Sequence, residues 1–252
     1  MLRVDNLHFS YAPGVPVLRG VDLTLRDGEV GVLLGQNGSG KTTLFNCILG
    51  ALRPQAGRIS LDGEDLRRMP PRVRAGKIAY VPQDVRFGAL SVYDSVLMGR
   101  VASFGFRAGR RDDEAVERVL EEMGLTGLAH RNVEALSGGE RRKIAVARAL
   151  AQEPALMVFD EPTGNLDMAN EQLILKEARR LAREKRIAVL TSLHDLNQAL
   201  YAGDRFLFLK DGRIRYDVTQ AEMTAAMIRD VFDIDARIVD IEGNKYVLGG
   251  RD

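Results

Sequence analysis

Residues 35–42 read Gly-Gln-Asn-Gly-Ser-Gly-Lys-Thr, which fits the pattern G-x-x-x-x-G-K-[ST]. Glycines at this spacing let successive backbone N–H groups face a phosphate, and a helix starting behind them adds its positive end. Gly35, Asn37, Gly38, Ser39, Gly40 and Thr43 would frame the phosphates of a nucleotide. Lys41 would reach the β- and γ-phosphates, and Thr42 would offer its hydroxyl to Mg²⁺. The motif needs an apolar strand before it and an apolar helix after it; VGVLL and TLFNCIL supply both.

A second group of residues could act on such a nucleotide. MVFDE, 157–161, ends a buried apolar strand with two carboxylates. An unpaired carboxylate at Asp160 would be costly there, and a metal or its water shell is a reasonable partner. Glu161 would lie beside the γ-phosphate position, where a base can polarise a water. The competing reading makes Asp160 and Glu161 caps of a helix starting near Pro162. His194 follows a third apolar strand and could donate to the γ-phosphate; the blander role is a cap for the next helix. His8 and His130 have no such context. Gln83 ends KIAYVPQ, where its amide could touch the metal or the attacking water. Tyr11, ahead of the phosphate loop, could stack on a base; the alternative is a core aromatic of the first sheet. LSGGE, 136–140, places two adjacent glycines at the head of the helical run RRKIAVARALAQ. Glycine is a poor helix former, and what it offers is close approach of the backbone to something else. A plain turn and helix cap is the competing reading.

These residues need elements to position them. LRVDNLHFSY and VLRGVDLTLRDGEVGVLLG alternate as strands, with a turn at Asp27-Gly28. GRISLDGEDL, 57–66, reads as a hairpin turning at Asp62-Gly63. KIAYVPQ, 77–83, is a short buried strand. Helical spacing over 91–102 and 112–123, joined by a glycine- and arginine-rich loop, predicts a helical insertion over about 84–151. The cluster RAGRR, 107–111, reads as a solvated connection. Three short apolar runs follow, ALMVFD, IAVLTS and FLFLKDG, the first two separated by the helical pattern QLILKEARRLAREK. Strands alternating with helices predict an α/β fold: a mainly parallel sheet covered on both faces. After Val218 the sequence predicts a helix over 220–231 and a final hairpin ending in KYVLGG.

The chain has 252 residues, a length that buries roughly 70% of the unfolded surface without staples. Its single cysteine, Cys47, excludes an intrachain disulfide and reads as a small apolar residue on a packed helix. With 36 Lys+Arg against 35 Asp+Glu, the charge balance suggests no nucleic-acid-binding surface. No apolar run approaches a membrane span and no signal-peptide pattern opens the chain. The expectation is a cytosolic protein whose membrane link, if any, runs through a partner.

Taken in order, Tyr11, GQNGSGKT, Gln83, LSGGE, MVFDE, NLD at 165–167 and His194 resemble the nucleotide-binding subunit of ABC transporters. The resemblance covers about residues 2–217, the ATP-binding domain, and leaves 218–252 as a short C-terminal extension. It implies a P-loop NTPase core with an N-terminal antiparallel β subdomain and an inserted helical subdomain, and hydrolysis of ATP with Mg²⁺ held by Thr42, Gln83 and Asp160. It implies a head-to-tail homodimer in which Ser137, Gly138, Gly139 and Glu140 of one copy meet the γ-phosphate on the other, with Asp167 contacting the facing subunit. It also implies transmembrane permease subunits, an external substrate-binding protein acting through them, and a peripheral place on the cytoplasmic face of the cell membrane. DSVLMGR, 94–100, PALMVFDEPTGNLDMANEQLIL, 154–175, and HDLNQAL, 194–200, are similar to subunits that energise import of ferric siderophores, haem or cobalamin. GNLD, 164–167, departs from that branch and keeps exporters and lipoprotein-release systems open. A soluble ABC ATPase acting on nucleic acid or ribosomes is the alternative of another class.

Overall fold

The apolar runs become strands whose alternate residues enter two different cores. The structure, a computed structural model, describes residues 1–104, 107–164 and 168–249. In chain order the elements are β1 (Leu2–Ala12), β2 (Val15–Leu25), β3 (Val30–Leu34), α1 (Lys41–Leu49), β4 (Ala56–Leu61), β5 (Glu64–Asp65), α2 (Pro71–Lys77), β6 (Ile78–Val81), α3 (Val92–Leu97), α4 (Arg110–Glu122), α5 (Gly138–Leu150), β7 (Leu156–Asp160), α6 (Met168–Lys185), β8 (Ala188–Ser192), α7 (Leu196–Ala202), β9 (Arg205–Lys210), β10 (Arg213–Thr219), α8 (Ala225–Phe232), β11 (Ala236–Ile241) and β12 (Asn244–Gly249).

The main sheet runs β10-β9-β3-β8-β7-β6, parallel except for β10. Its inner strands are covered on both faces, which is why they read as unbroken apolar runs. In β9, Phe206 and Phe208 join the core beneath the helices, while Leu207 and Leu209 join the core shared with α1 and the smaller sheet. That smaller sheet, β2-β1-β4-β5, is antiparallel. The α/β expectation, with an antiparallel N-terminal unit, is met. The 57–66 hairpin turns at Asp62 and Gly63, both at positive φ. Cys47 is buried on α1, and burial lifts its thiol to about 11.

Three local readings change, and one helix is new. The RAGRR cluster is not simply a solvated connection: Arg110 and Arg111 open α4, and Asp112 behind them is buried against Arg100 at 3.1 Å. The 91–102 helix leaves α geometry at Met98 and continues as a 3₁₀ turn to Ala102. Gly99 there lies so close to α5 that an added Cβ would sit 2.0 Å from the Arg148 carbonyl. Helix α2, begun by Pro71, had no sequence reading; it buries no residue and so carries no apolar stripe. The tail helix starts later than expected, at Ala225, where Thr224 caps it. The final hairpin forms as β11-β12, and Met223, Ile228, Val231, Ala236 and Val247 of the tail enter the core beneath the helices.

Candidate active site

Strand β3 delivers the glycine-rich loop at its carboxyl end, the usual ligand edge of an open parallel sheet. Gly35 is wedged against β9: a Cβ would lie 2.4 Å from the Leu209 carbonyl. Gly38 and Gly40 hold φ of 80° and 109°, which side chains rarely adopt. No side chain caps the α1 N-terminus. Among the described residues Ser39 Oγ, which is buried, has no hydrogen-bond partner, a state that a bound oxygen ligand would relieve. The buried Lys41 Nζ folds back on its own loop, donating to the carbonyls of Gly35 at 2.8 Å and Gln36 at 3.2 Å. Burial pulls its pKa down, against the opposing pull of Glu161 and Asp160. Asn37, Gly38 and Thr42 are exposed to a ligand.

Tyr11 is 65% exposed, so the core-aromatic reading does not hold. Its ring rests edge-on against Phe9, and its hydroxyl is 3.2 Å from Thr43 Oγ1 at the start of α1. The free ring face stands beside the phosphate loop.

The two carboxylates come from the carboxyl end of a single strand, β7, which β8 separates from β3. Asp160 pairs in register with Ser192 of β8. Ser192 Oγ donates to Asp160 Oδ1 at 2.9 Å and accepts the Glu161 N–H at 3.0 Å. Tyr80 of β6 reaches Asp160 Oδ2 at 3.4 Å. Burial raises the Asp160 pKa and Glu161 adds to it, while the Ser192 hydroxyl works against them. Tyr80 is pushed up to about 12 by burial and then by Asp160. Glu161 sits at φ 48°, strained for a residue with a side chain. Its Oε1 lies 2.6 Å from His194 Nε2. Neither rival cap survives: α6 begins only at Met168, and α7 is capped by Asp195 rather than His194.

Gln83 leaves β6 with its side chain exposed and its Nε2 over Gly164. Its carbonyl, and that of Pro82, are each gripped by Arg142 of α5 at 2.6 Å. Ser137 caps α5 and forms a reciprocal pair with Glu140: Glu140 N–H donates to Ser137 Oγ, and Ser137 N–H and hydroxyl donate to Glu140 Oε2. These bonds draw the Glu140 carboxyl below its ordinary range. Gly139 is buried against Asn170. Among the described residues, no hydrogen bond or ion pair joins 137–140 to 35–43. The fold thus gathers Tyr11, the loop, Gln83, Asp160, Glu161 and His194 at one sheet edge, and brings Gly138 of LSGGE into a cleft shared with Gln83 and Gly164 but not onto the phosphate loop. Asp167 lies outside the described residues.

Ser192, Tyr80 and Arg142 had no sequence reading. Ser192 could have been found only from the β7–β8 register, and Arg142 only from the helix phase of α5.

Residues 18–164 match the family model for the ABC transporter. The chain belongs to the ABC transporter family. As an ABC ATP-binding subunit it is an ATPase, and no described helix is long and apolar enough to cross a membrane. The hemin import ATP-binding protein of Pseudomonas entomophila is 38% identical, with 94% of each chain covered. The phosphonates import ATP-binding protein PhnC 2 of a Synechococcus strain is 34% identical over 99% of this chain and 98% of its own. An inward-facing transporter described as metal-chelate type superposes with a TM-score of 0.84 at 29% identity, covering 98% of this ABC subunit and 95% of the solved chain. A bacterial ABC transporter cassette solved as a dimer gives a TM-score of 0.74 at 28% identity, over 87% and 98% of the two chains.

Proposed function

We propose that this subunit powers import of a metal chelate, haem, a ferric siderophore or cobalamin, as a head-to-tail homodimer beneath transmembrane permease subunits on the cytoplasmic face of the membrane. Residues 1–217 form the ATP-binding domain, 84–151 its helical insertion and 218–252 an extension. An external binding protein would deliver the chelate to the permease. The hemin-import relative and the metal-chelate type neighbour support the substrate class. The phosphonates-import relative favours a second reading, an importer of phosphonates.

The observation that carries the dimer is Gly138. It is exposed, its φ is not positive, and an added Cβ would meet no atom of the described residues within 4 Å. No described part of the chain crowds that position, which leaves the head of α5 open to something that approaches from outside. A second copy's ATP fits: the N–H groups of Gly138 and Gly139 and the α5 N-terminus offer donors to a γ-phosphate, and Ser137 would add its hydroxyl on releasing Glu140.

Within one copy, Tyr11 would stack the adenine and the loop with Lys41 would hold the phosphates. Glu161 takes the His194 N–H on Oε1, which requires the proton on Nε2 and leaves Oε2 for a water. The water attacks the γ-phosphorus, the bond to the ADP oxygen breaks, and the water's proton passes to Glu161. His194 steadies the carboxylate and lies beside the γ-phosphate oxygens. Thr42, Asp160 and Gln83 are an oxygen-only set with one carboxylate, suited to Mg²⁺ completed by phosphate and water, which would neutralise phosphate charge. The ATP-closed dimer would shift the permease between states, with Gln83 and its Arg142 tether at the root of the helical insertion.

The test uses Glu161→Gln with ATP and Mg²⁺. It should form an ATP-bound dimer by light scattering; adding Gly138→Ala should abolish the dimer at unchanged melting temperature. A dimer that forms equally well with both substitutions overturns the in-trans assignment.

A further inference from the structure

The tail after Val218 takes no part in the chemistry above, yet it reaches the site from two sides. Gln36 of the phosphate loop donates its amide N–H to the Phe232 carbonyl at the end of α8, at 3.0 Å. Asn197, in the first turn of α7, meets one residue of the final hairpin twice. Its Nδ2 donates to the Val247 carbonyl at 3.1 Å, and the Val247 N–H donates to its Oδ1 at 2.8 Å.

This pair of hydrogen bonds has a particular geometry. Val247 stands opposite Ile238 in the hairpin, and both its backbone groups point away, to Asn197. It therefore occupies a non-hydrogen-bonded pair, and the hairpin ladder does not depend on those groups. The Asn197 amide acts as one more rung on the outer edge of β12. Val247 is 8% exposed and packs in the same core as Ala199 and Leu200 of α7, so the rung is anchored at both ends.

The turn that carries His194 is fixed from its far side by these contacts. Asp195 caps the N–H groups of Asn197 and Gln198 at 2.7 and 2.8 Å. Gln198 accepts from Thr163, two residues after Glu161, at 2.9 Å, and donates to Glu171 of α6 at 2.8 Å. Gln198 thus ties the turn to the Glu161 segment, and Asn197 ties it to the hairpin. The His194 ring is 53% exposed, so packing alone does not hold it on Glu161.

We propose that Asn197 is a positioning residue: hooked on Val247, it sets His194 against Glu161 and makes the hairpin 236–249 part of the hydrolytic apparatus. The proposal rests on the roles given above to Glu161 and His194.

The experiment is steady-state ATP hydrolysis by the full chain. Asn197→Ala should lower kcat roughly 10- to 100-fold, the scale on which a misplaced group costs rate, with KM for ATP little changed, since the loop and Tyr11 are untouched. Val247→Pro removes the outward N–H at a pair outside the hairpin's own ladder and should copy it, while Val247→Ala, which trims the same buried side chain but keeps the N–H, should not. Asn197→Asp keeps the acceptor and should recover part of the rate. In a His194→Ala background, Asn197→Ala should add no further loss, because the two act through one step. An Asn197→Ala enzyme with normal kcat, or a loss that multiplies with that of His194→Ala, overturns the inference while leaving the catalytic reading intact. If His194→Ala itself turns over normally, the catalytic reading fails and this inference with it.

Discussion

Tyr11 and Asp160 show how far single residues can be taken. The Tyr11 face is free and its hydroxyl is tied to Thr43, so the ring is held ready rather than folded away. Base stacking is worth about 1–3 kcal/mol. Tyr11→Ala should therefore weaken ATP binding roughly 5- to 150-fold, measured by calorimetry, with kcat little altered. Asp160 tests burial. Its pKa is raised, so the folded chain holds the proton more tightly than the unfolded one and stability from this group falls as pH rises through the raised value. Asp160→Asn removes that cost and should melt higher than the parent near neutral pH without nucleotide. The gap should close as pH falls toward 3.8, the ordinary value. The same substitution should lose Mg²⁺-dependent turnover, checked by phosphate release.

At the level of elements, the helical insertion is held by buried charge as well as by apolar contact. Arg100 follows α3 and meets Asp112 at 3.1 Å, the Ala151 carbonyl at 2.9 Å and Glu153 at 2.9 Å. Asp112 also accepts the Gly109 N–H that begins α4. Breaking one partner of a buried pair typically costs about 3–5 kcal/mol. Asp112→Ala should fall toward the lower end, because Arg100 keeps Glu153 and a carbonyl; urea unfolding measures it. A second link joins insertion and core. Burial opposes ionisation of Glu122 on α4, but hydrogen bonds from Lys185 and Arg180 of α6 outweigh it and hold the carboxyl low. That contribution is present above about pH 4.5 and lost as pH falls through the lowered value.

For the whole molecule, the question is what ATP hydrolysis drives. Glu161→Gln pulled from native membranes with ATP and Mg²⁺ should carry a polytopic membrane protein. That complex should retain a haem- or siderophore-type chelate rather than a phosphonate. Recovery of soluble partners alone would remove the transporter assembly from the reading, and a bound phosphonate would decide for the second substrate class.

The motif residues were legible as candidates because the chemistry proposed for them is local: the phosphate loop, LSGGE and the DE pair would each act through backbone and side chains only a few positions apart. The parallel sheet and its layering were legible in outline, since burial on both faces leaves unbroken apolar runs such as FLFL in β9. Other features had no local signature. Ser192 meets Asp160 through a cross-strand register, Arg142 meets the Gln83 carbonyl across two elements, and Asn197 meets Val247 from a hairpin 50 residues away. Sequence order does not state which distant backbone groups will face one another. That is settled only when the sheet, its helices and the tail close around shared cores, and buried polar groups must then find partners from whatever the packing brings near.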